Sequence, residues 1–304
     1  MNIAVIGASG HIARSLIPLL ARDKRNTVYA FSRNPHSMLP AYSSDTAIRC
    51  KEYSSFPNGD FDVVLNCVGF SDSQKIRKAG ADLFFVNEHY DNLAIDYVRK
   101  NSRTTYVYFS SGAVYGGDFV SPASSHTLFT MAPNNIQQST LYGLTKLYTE
   151  AKHRSLPFPI IDLRIFSYFS RFIDPTGMYL MTAIIRCLRN HSIFKTGADD
   201  ITRDYVHPED LKQLLYCCLG EPRNSALDVY SKMPAKKSEI IAFFKEVYGL
   251  NVELHKTNVQ ESITGIKPCY YSQNHAAEHI GYVPQFSSMD CIQKESAALL
   301  NETT

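Results

Sequence analysis

The first thirteen residues constrain this chain most. Residues 2–6, Asn-Ile-Ala-Val-Ile, form an apolar strand pattern, and residues 11–22 have helical spacing. Between them stands Gly7-Ala8-Ser9-Gly10-His11-Ile12-Ala13, a GxxGxxA turn. Gly7 permits a tight turn, Gly10 lets backbone come close to a pyrophosphate, and Ala13 lets the helix pack near the sheet. The N–H groups from Ser9 through Gly10, His11 and Ile12 open a helix N-terminus, which carries partial positive charge and suits phosphate. Such a turn after the first strand points to a dinucleotide site; the plain alternative is an ordinary strand-to-helix turn.

The remaining pattern agrees with a layered α/β chain. Segments 27–31, 62–67, 105–109 and 160–165 read as strands, the run 62–67 as one buried on both faces. They alternate with helical spacing over 83–99 and 141–153, which predicts a parallel sheet covered on both faces. The second half is less regular. Helices are expected over 178–189, 208–218, 238–248 and 289–300, with a short strand at 227–230. Ser238 is the expected N-cap of its helix, and Gly249 its terminator. The expected fold is α/β: a doubly wound parallel sheet in residues 1–170, rejoined by a strand and helix near 201–230, with a smaller C-terminal lobe in 171–304.

Composition removes several function classes. The net charge is +2, which lacks the electrostatic footprint of a nucleic-acid binder. No apolar run is long enough to cross a bilayer, and the start lacks the basic n-region of a signal peptide. A cytoplasmic protein without membrane partners is expected. The seven cysteines are odd in number and form no CxxC pair, and the ten histidines form no HExxH. Reduced thiols and no metal site are expected.

The end of the second strand bears on the cofactor. An acidic residue there would grip a ribose 2′-hydroxyl; this chain has Phe31-Ser32-Arg33. Arg33 can pair with a 2′-phosphate, and Ser32 adds a hydroxyl. NADP(H) is therefore preferred, with NAD(H) as the alternative and a solvated loop charge as the bland reading of Arg33. Cys67, Val68 and Gly69 follow another strand and should flank the cofactor, with Cys67 as a packing residue rather than a nucleophile.

Two further segments carry candidate chemistry. Phe109-Ser110-Ser111-Gly112-Ala113-Val114-Tyr115-Gly116 places hydroxyls where a strand ends. Tyr142-Gly143-Leu144-Thr145-Lys146 puts a phenol and an ammonium four apart on one helix face. An ammonium beside a phenol favours the phenolate, so Lys146 is expected to lower the pKa of Tyr142. Each segment alone is weak; their order after the glycine turn is specific.

With these pieces together, the chain resembles the extended short-chain dehydrogenase/reductases of the nucleotide-sugar epimerase/dehydratase group. GASGHIA, SSGAVYG, YGLTK, LRIF, TRDYVHPEDL and YYSQNHAAEHIGYVP carry the likeness, from Met1 to about Leu300. The resemblance implies a nucleotide-diphosphate sugar as substrate. It makes Ser111 the residue that orients the reacting hydroxyl or carbonyl, Tyr142 the acid/base, and Lys146 its partner and the holder of the nicotinamide ribose. Arg203 resembles the arginine that meets the diphosphate, with an ion pair to Asp204 or Asp210 as its structural alternative. Asn87 stands where the family has an asparagine, in a ligand or a packing role. The resemblance also implies a homodimer built from helices 83–99 and 141–153 as a four-helix bundle.

Departures from the pattern narrow the chemistry. Family 4,6-dehydratases have an Asp-Glu pair where this chain has Gly112 and Ala113, so dehydration is disfavoured. Family enzymes that epimerise beside the ketone have a cysteine at Gly112, so that is disfavoured too. The family commonly has a substrate-side asparagine two residues on from the arginine of the LR motif; this chain has Phe166 and then Ser167 there. The leading expectation is an NADPH-dependent reductase of a nucleotide-activated 4-keto-6-deoxy sugar. The alternatives are a nucleotide-sugar 4-epimerase and, outside catalysis, an NADP-binding sensor. Loops near 119–138, 167–179 and 259–271 are expected to choose the substrate.

Overall fold

The computed structural model describes residues 1–42, 44–70, 73–255 and 267–301. Its central sheet contains β1 (Asn2–Ile6), β2 (Thr27–Phe31), β3 (Ile48–Lys51), β4 (Val63–Asn66), β5 (Thr105–Ser111), β6 (Ile160–Ile165) and a seventh strand, Ser225–Val229. The order is β3-β2-β1-β4-β5-β6 and then Ser225–Val229, with every neighbouring pair parallel. β3 is the strand the sequence pattern does not announce: it lies at the edge and carries Arg49 and Lys51 among only four residues.

Both faces of the sheet are covered. On one, Leu16, Ile17 and Leu20 of the His11–Ala21 helix join Leu211, Leu214 and Leu215 of the Pro208–Gly220 helix in one buried cluster with Val5, Val107 and Leu163. On the other, Ala94, Ile95 and Val98 of the Asp82–Lys100 helix pack with Ile6, Val64, Tyr106 and Tyr108. Residues alternate between faces along each strand, which is why the odd and even positions of β5 belong to different clusters.

The Gln138–Arg154 helix lies on the second face with an unusual buried stripe: Thr145, Lys146, Thr149, Glu150 and His153. Residues three and four apart share a helix face, so these polar groups arrive together. β5 answers with Tyr106, Tyr108 and Ser110, all fully or nearly buried. Lys146 donates to the Tyr108 hydroxyl at 2.7 Å, and Ser110 donates to Glu150 at 2.6 Å. Arg164 of β6 grips Glu150 through Nε and Nη2. The stripe is tolerable because each group finds a partner inside.

A second apolar cluster, around Phe169, Ile184, Ile185, Ile240 and Phe244, belongs to residues 169–300. Short ladders organise this part. Thr202–Arg203 pairs with Cys269–Tyr270 in parallel, setting Arg203 opposite Tyr270, and Ser167–Tyr168 pairs with Tyr205–Val206. The Lys237–Tyr248 helix corrects the expected cap. Lys236 is the N-cap residue, its N–H donates to Glu239, and Ser238 instead gives both its N–H and hydroxyl to Asp200. Gly249 ends this helix at φ +68°.

Candidate active site

The strand order reverses between β1 and β4: the chain proceeds to β2 on one side and to β5 on the other. Loops leaving such neighbours diverge and open a crevice at their carboxyl ends. Gly7 lies there at φ +77°, and a Cβ on it would sit 2.9 Å from both the backbone N and Cγ2 of Val68. Only glycine satisfies both the left-handed backbone and that approach. Gly10 donates its N–H to the Gly7 carbonyl at 2.9 Å and begins the helix without a side-chain cap, and Ser9 is exposed at the turn's tip. The first-turn N–H groups, Ile12 among them, are thus left for a ligand.

Several neighbours complete this end of the crevice. Asn66 Oδ1 accepts the Val68 N–H at 3.0 Å and so fixes Cys67–Gly69 against the turn. The Cys67 thiol is pushed up by burial, which suits packing. His11 lies against Tyr168 and shares a 2.8 Å hydrogen bond with Ser170; burial pushes its pKa down to about 4, so the ring is neutral. Tyr53, which sequence reasoning missed, accepts the Gly7 N–H at 3.0 Å. Ser32 is buried, yet its hydroxyl has no partner among the described residues, and Arg33 beside it is exposed. A close glycine turn, an uncapped helix start and an orphaned hydroxyl at the end of β2 fit a dinucleotide.

The catalytic candidates gather at the end of β5. Gly143 lets the Gln138–Arg154 helix touch the turn 112–115, because a Cβ there would collide with the Ala113 carbonyl oxygen. This contact brings Tyr142 beside Ser111. Ser111 Oγ accepts the Ala113 N–H at 3.2 Å and lies 3.2 Å from the hydroxyl of Tyr270. Gly69 is also close: a Cβ on it would be 3.6 Å from Lys146 Nζ, so the ammonium borders the crevice.

The electrostatics differ from expectation at one point. Burial raises the Tyr142 pKa, opposed only by the Ser111 hydroxyl. Lys146 does not lower it here, because its ammonium is held by the Tyr108 hydroxyl and, at 3.2 Å, the Phe109 carbonyl, 6.0 Å from the Tyr142 ring centre. Burial in turn pushes Lys146 down to about 8, against the pull of Asp91, Glu150 and Asp162. Behind it, His153 is buried between Asp91 and Asp162, 2.7 Å from each. Two carboxylate acceptors require both ring nitrogens to donate, and the pKa of His153 rises to about 9.

The substrate side is aromatic. Phe166, Phe119, Tyr115 and Tyr270 form one cluster over Gly112. Arg203 has neither of its anticipated ion pairs: Asp204 is held by Ser231 and Ser288, and Asp210 by the N–H groups of Gln285 and Phe286. Arg203 instead donates to the carbonyls of Thr202 and Lys267. Lys267, a second missed residue, lies 4.5 Å from the Tyr270 ring centre, and burial and Arg203 push its pKa down to about 8. Its sequence signal was a cation directly before Pro268 and the recognised YYSQ segment. Among the described residues neither cation forms an ion pair, although Asp118 pulls on Lys267, and two adjacent cations suit an anionic ligand.

Two other candidates are less committed. Ser167 is half-buried on its two-residue strand. Asn87 is buried, donating to the Leu83 carbonyl at 2.6 Å while Oδ1 has no partner among the described residues. It lines a cleft of about 300 Å³ between the Asp82–Lys100 and Gln138–Arg154 helices. Residues 259–266 of the last expected substrate loop lie outside the described residues. Among the described residues there is no metal-binding cluster, no disulfide and no helix long and apolar enough to cross a membrane.

Fold and family together define a dinucleotide-dependent oxidoreductase of the short-chain dehydrogenase/reductase type. The chain belongs to the NAD dependent epimerase/dehydratase family, whose model matches residues 3–231. A search of curated protein sequences gave no match. Among solved structures, it is similar to UDP-glucuronic acid 4-epimerase from Bacillus cereus, with 18% identity over 100% of both chains and a TM-score of 0.81. It is also similar to UDP-glucose 4-epimerase from Thermotoga maritima, with 15% identity over 100% of this chain and 99% of that one and a TM-score of 0.79. A third is dTDP-glucose 4,6-dehydratase from Bacillus anthracis in complex with NAD, with 14% identity over 99% and 97% and a TM-score of 0.77. At these identities the likeness establishes the shared fold.

Proposed function

We propose that this enzyme is an NADPH-dependent reductase of a nucleotide-diphosphate 4-keto-6-deoxy sugar. One observation carries the reading. The Phe166 ring occupies the space beside Gly112, so position 112 carries no carboxylate or thiol to expel water or to epimerise a neighbouring carbon. The groups left there are hydroxyls, which can protonate a carbonyl oxygen and do little else. The apolar cluster around Phe166 and Phe119 suits a methyl-bearing sugar end.

Gly7, Gly10 and the helix start would hold the dinucleotide's pyrophosphate, Ser32 and Arg33 its 2′-phosphate, and Lys146 its nicotinamide ribose. The bound dinucleotide supplies a hydride. Ser111 donates a hydrogen bond to the keto oxygen. As the C–H bond forms and the C=O π bond breaks, Tyr142 gives its phenolic proton to that oxygen, and the phenolate recovers a proton from solvent. Arg203 and Lys267 hold the diphosphate. NAD(H) is the alternative cofactor, and the cytoplasm is the expected location.

A second reading is a 4-epimerase, favoured by the names of two structural neighbours, UDP-glucuronic acid and UDP-glucose 4-epimerases. The two readings differ in cofactor balance: a reductase consumes one NADPH per product, and an epimerase consumes none. The test is NADPH oxidation against 4-keto-6-deoxy sugars carrying UDP, dTDP, GDP or CDP. Stoichiometric oxidation that is lost in Tyr142→Phe supports the reductase; inversion at C4 of a 4-hydroxy substrate such as UDP-glucose or UDP-glucuronic acid, without net oxidation, supports the epimerase. NADPH binding without turnover of any of these would favour a sensor. We also propose a homodimer through the Asp82–Lys100 and Gln138–Arg154 helices, where Phe85 and Tyr148 are 65% and 49% exposed; light scattering of Phe85→Asp checks it.

A further inference from the structure

We infer that Tyr270 is a positioning residue for Ser111, fixing the direction in which the serine hydroxyl donates. The inference rests on the reading that Ser111 acts on the reacting oxygen. A serine hydroxyl has one proton and two acceptor sites. The Ala113 N–H fills one site at 3.2 Å. The Tyr270 hydroxyl, also at 3.2 Å, is placed to fill the other. A phenol is a better donor than an aliphatic alcohol; burial raises the Tyr270 pKa, and Arg203, 5.9 Å from its ring centre, pulls against that rise. With both acceptor sites taken, the Ser111 proton is left to the side of Tyr142, where it lowers that phenol's pKa in the absence of substrate and can donate to a keto oxygen that comes between them.

The Tyr270 ring is held for this task. It stands edge-on to Phe119 at 4.7 Å and tilted against Phe166 at 5.3 Å. Its strand is paired to Arg203, and the Cys269 N–H donates to the Phe119 carbonyl at 2.9 Å. Two residues on, Ser272 donates to the buried Asp228 at 2.5 Å, and Asp228 also accepts from Tyr115. A donor fixed before the reaction needs no reorganisation as charge develops, which is where such groups gain their effect.

The test uses Tyr270→Phe, Ser111→Ala and the double variant in the full chain, with NADPH and whichever 4-keto sugar nucleotide of the panel turns over. Ser111→Ala is expected to lower kcat by about 10²-fold, as for loss of one preorganised donor. Tyr270→Phe should lower kcat by roughly tenfold with KM nearly unchanged, and should add nothing in the Ser111→Ala background, because it acts through the group already removed. Additive losses, or an unchanged kcat in Tyr270→Phe, overturn the proposal. If wild-type protein turns over none of the panel, the reductase reading fails, and crystal structures still decide the positioning role. They should show Ser111 Oγ in one rotamer in wild type and spread over more than one in Tyr270→Phe. The same single rotamer in both overturns it.

Discussion

The ring of Phe166 lies where any side chain at position 112 would have to go. A Cβ on Gly112 would fall 2.5 Å from Phe166 Cε1 and 2.8 Å from Cγ, with Cδ1 also in contact. The cause is register: β5 and β6 pair in parallel with Ser111 opposite Ile165, so the next residues of both strands meet. Two separate departures from the family pattern, the missing carboxylate or thiol at 112 and the missing asparagine region after Arg164, are therefore one packing event. Gly112→Ala should destabilise the protein by about 1–3 kcal/mol through overpacking. Phe166→Leu should restore much of that loss in the double variant. Urea denaturation of the three variants measures both effects, and a Gly112→Ala protein as stable as wild type would refute the clash.

His153 makes stability depend on pH. Its folded pKa is raised to about 9, above the ordinary value of 6.5. Its contribution is therefore complete below about pH 6.5 and is lost as pH rises through 9. The shift corresponds to about 3 kcal/mol. Stability measured from pH 6 to pH 10 should fall across that window, and the fall should flatten in His153→Gln. His153→Ala should cost about 3–5 kcal/mol at neutral pH by leaving Asp91 and Asp162 without their shared cation.

Lys267 gives a second pH signature, in binding rather than folding. With its pKa pushed down to about 8, the ammonium is present below that pH and disappears above it. Affinity for UDP, followed by calorimetry, should weaken as pH passes from 7 to 9. Lys267→Arg should remove the decline, since arginine stays charged. Lys267→Gln should bind weakly at every pH.

Arg33 and Ser32 give a cofactor prediction. Arg33→Ala should weaken NADPH by about tenfold or more, in line with loss of a charge-assisted hydrogen bond, while leaving NADH nearly unchanged. Ser32→Ala should show a smaller change in the same direction. Fluorescence titration of both dinucleotides checks this, and an unaltered NADPH-to-NADH ratio in Arg33→Ala would exclude the arginine from 2′-phosphate binding.

Much of the architecture was legible because it is written locally. Gly7 and Gly10, the short apolar strand runs and the spacing of Tyr142 and Lys146 need only backbone geometry and local patterning, and these placed the glycine turn, the parallel sheet and the Ser/Tyr/Lys order. The cap at Ser238 was misjudged because Asp200, 38 residues away, draws its hydroxyl and N–H. The Tyr142 pKa was misjudged because Tyr108, on another element, takes the ammonium of Lys146.

Sequence by itself thus determined the fold class, the dinucleotide turn and the family, since these follow from short-range patterns. Tertiary structure alone decided that Gly112 yields to Phe166, that Tyr270 reaches Ser111 across 159 residues, and that Lys267 joins Arg203. Contacts of that kind depend on strand register and on which loops converge above the sheet, and no local periodicity encodes either.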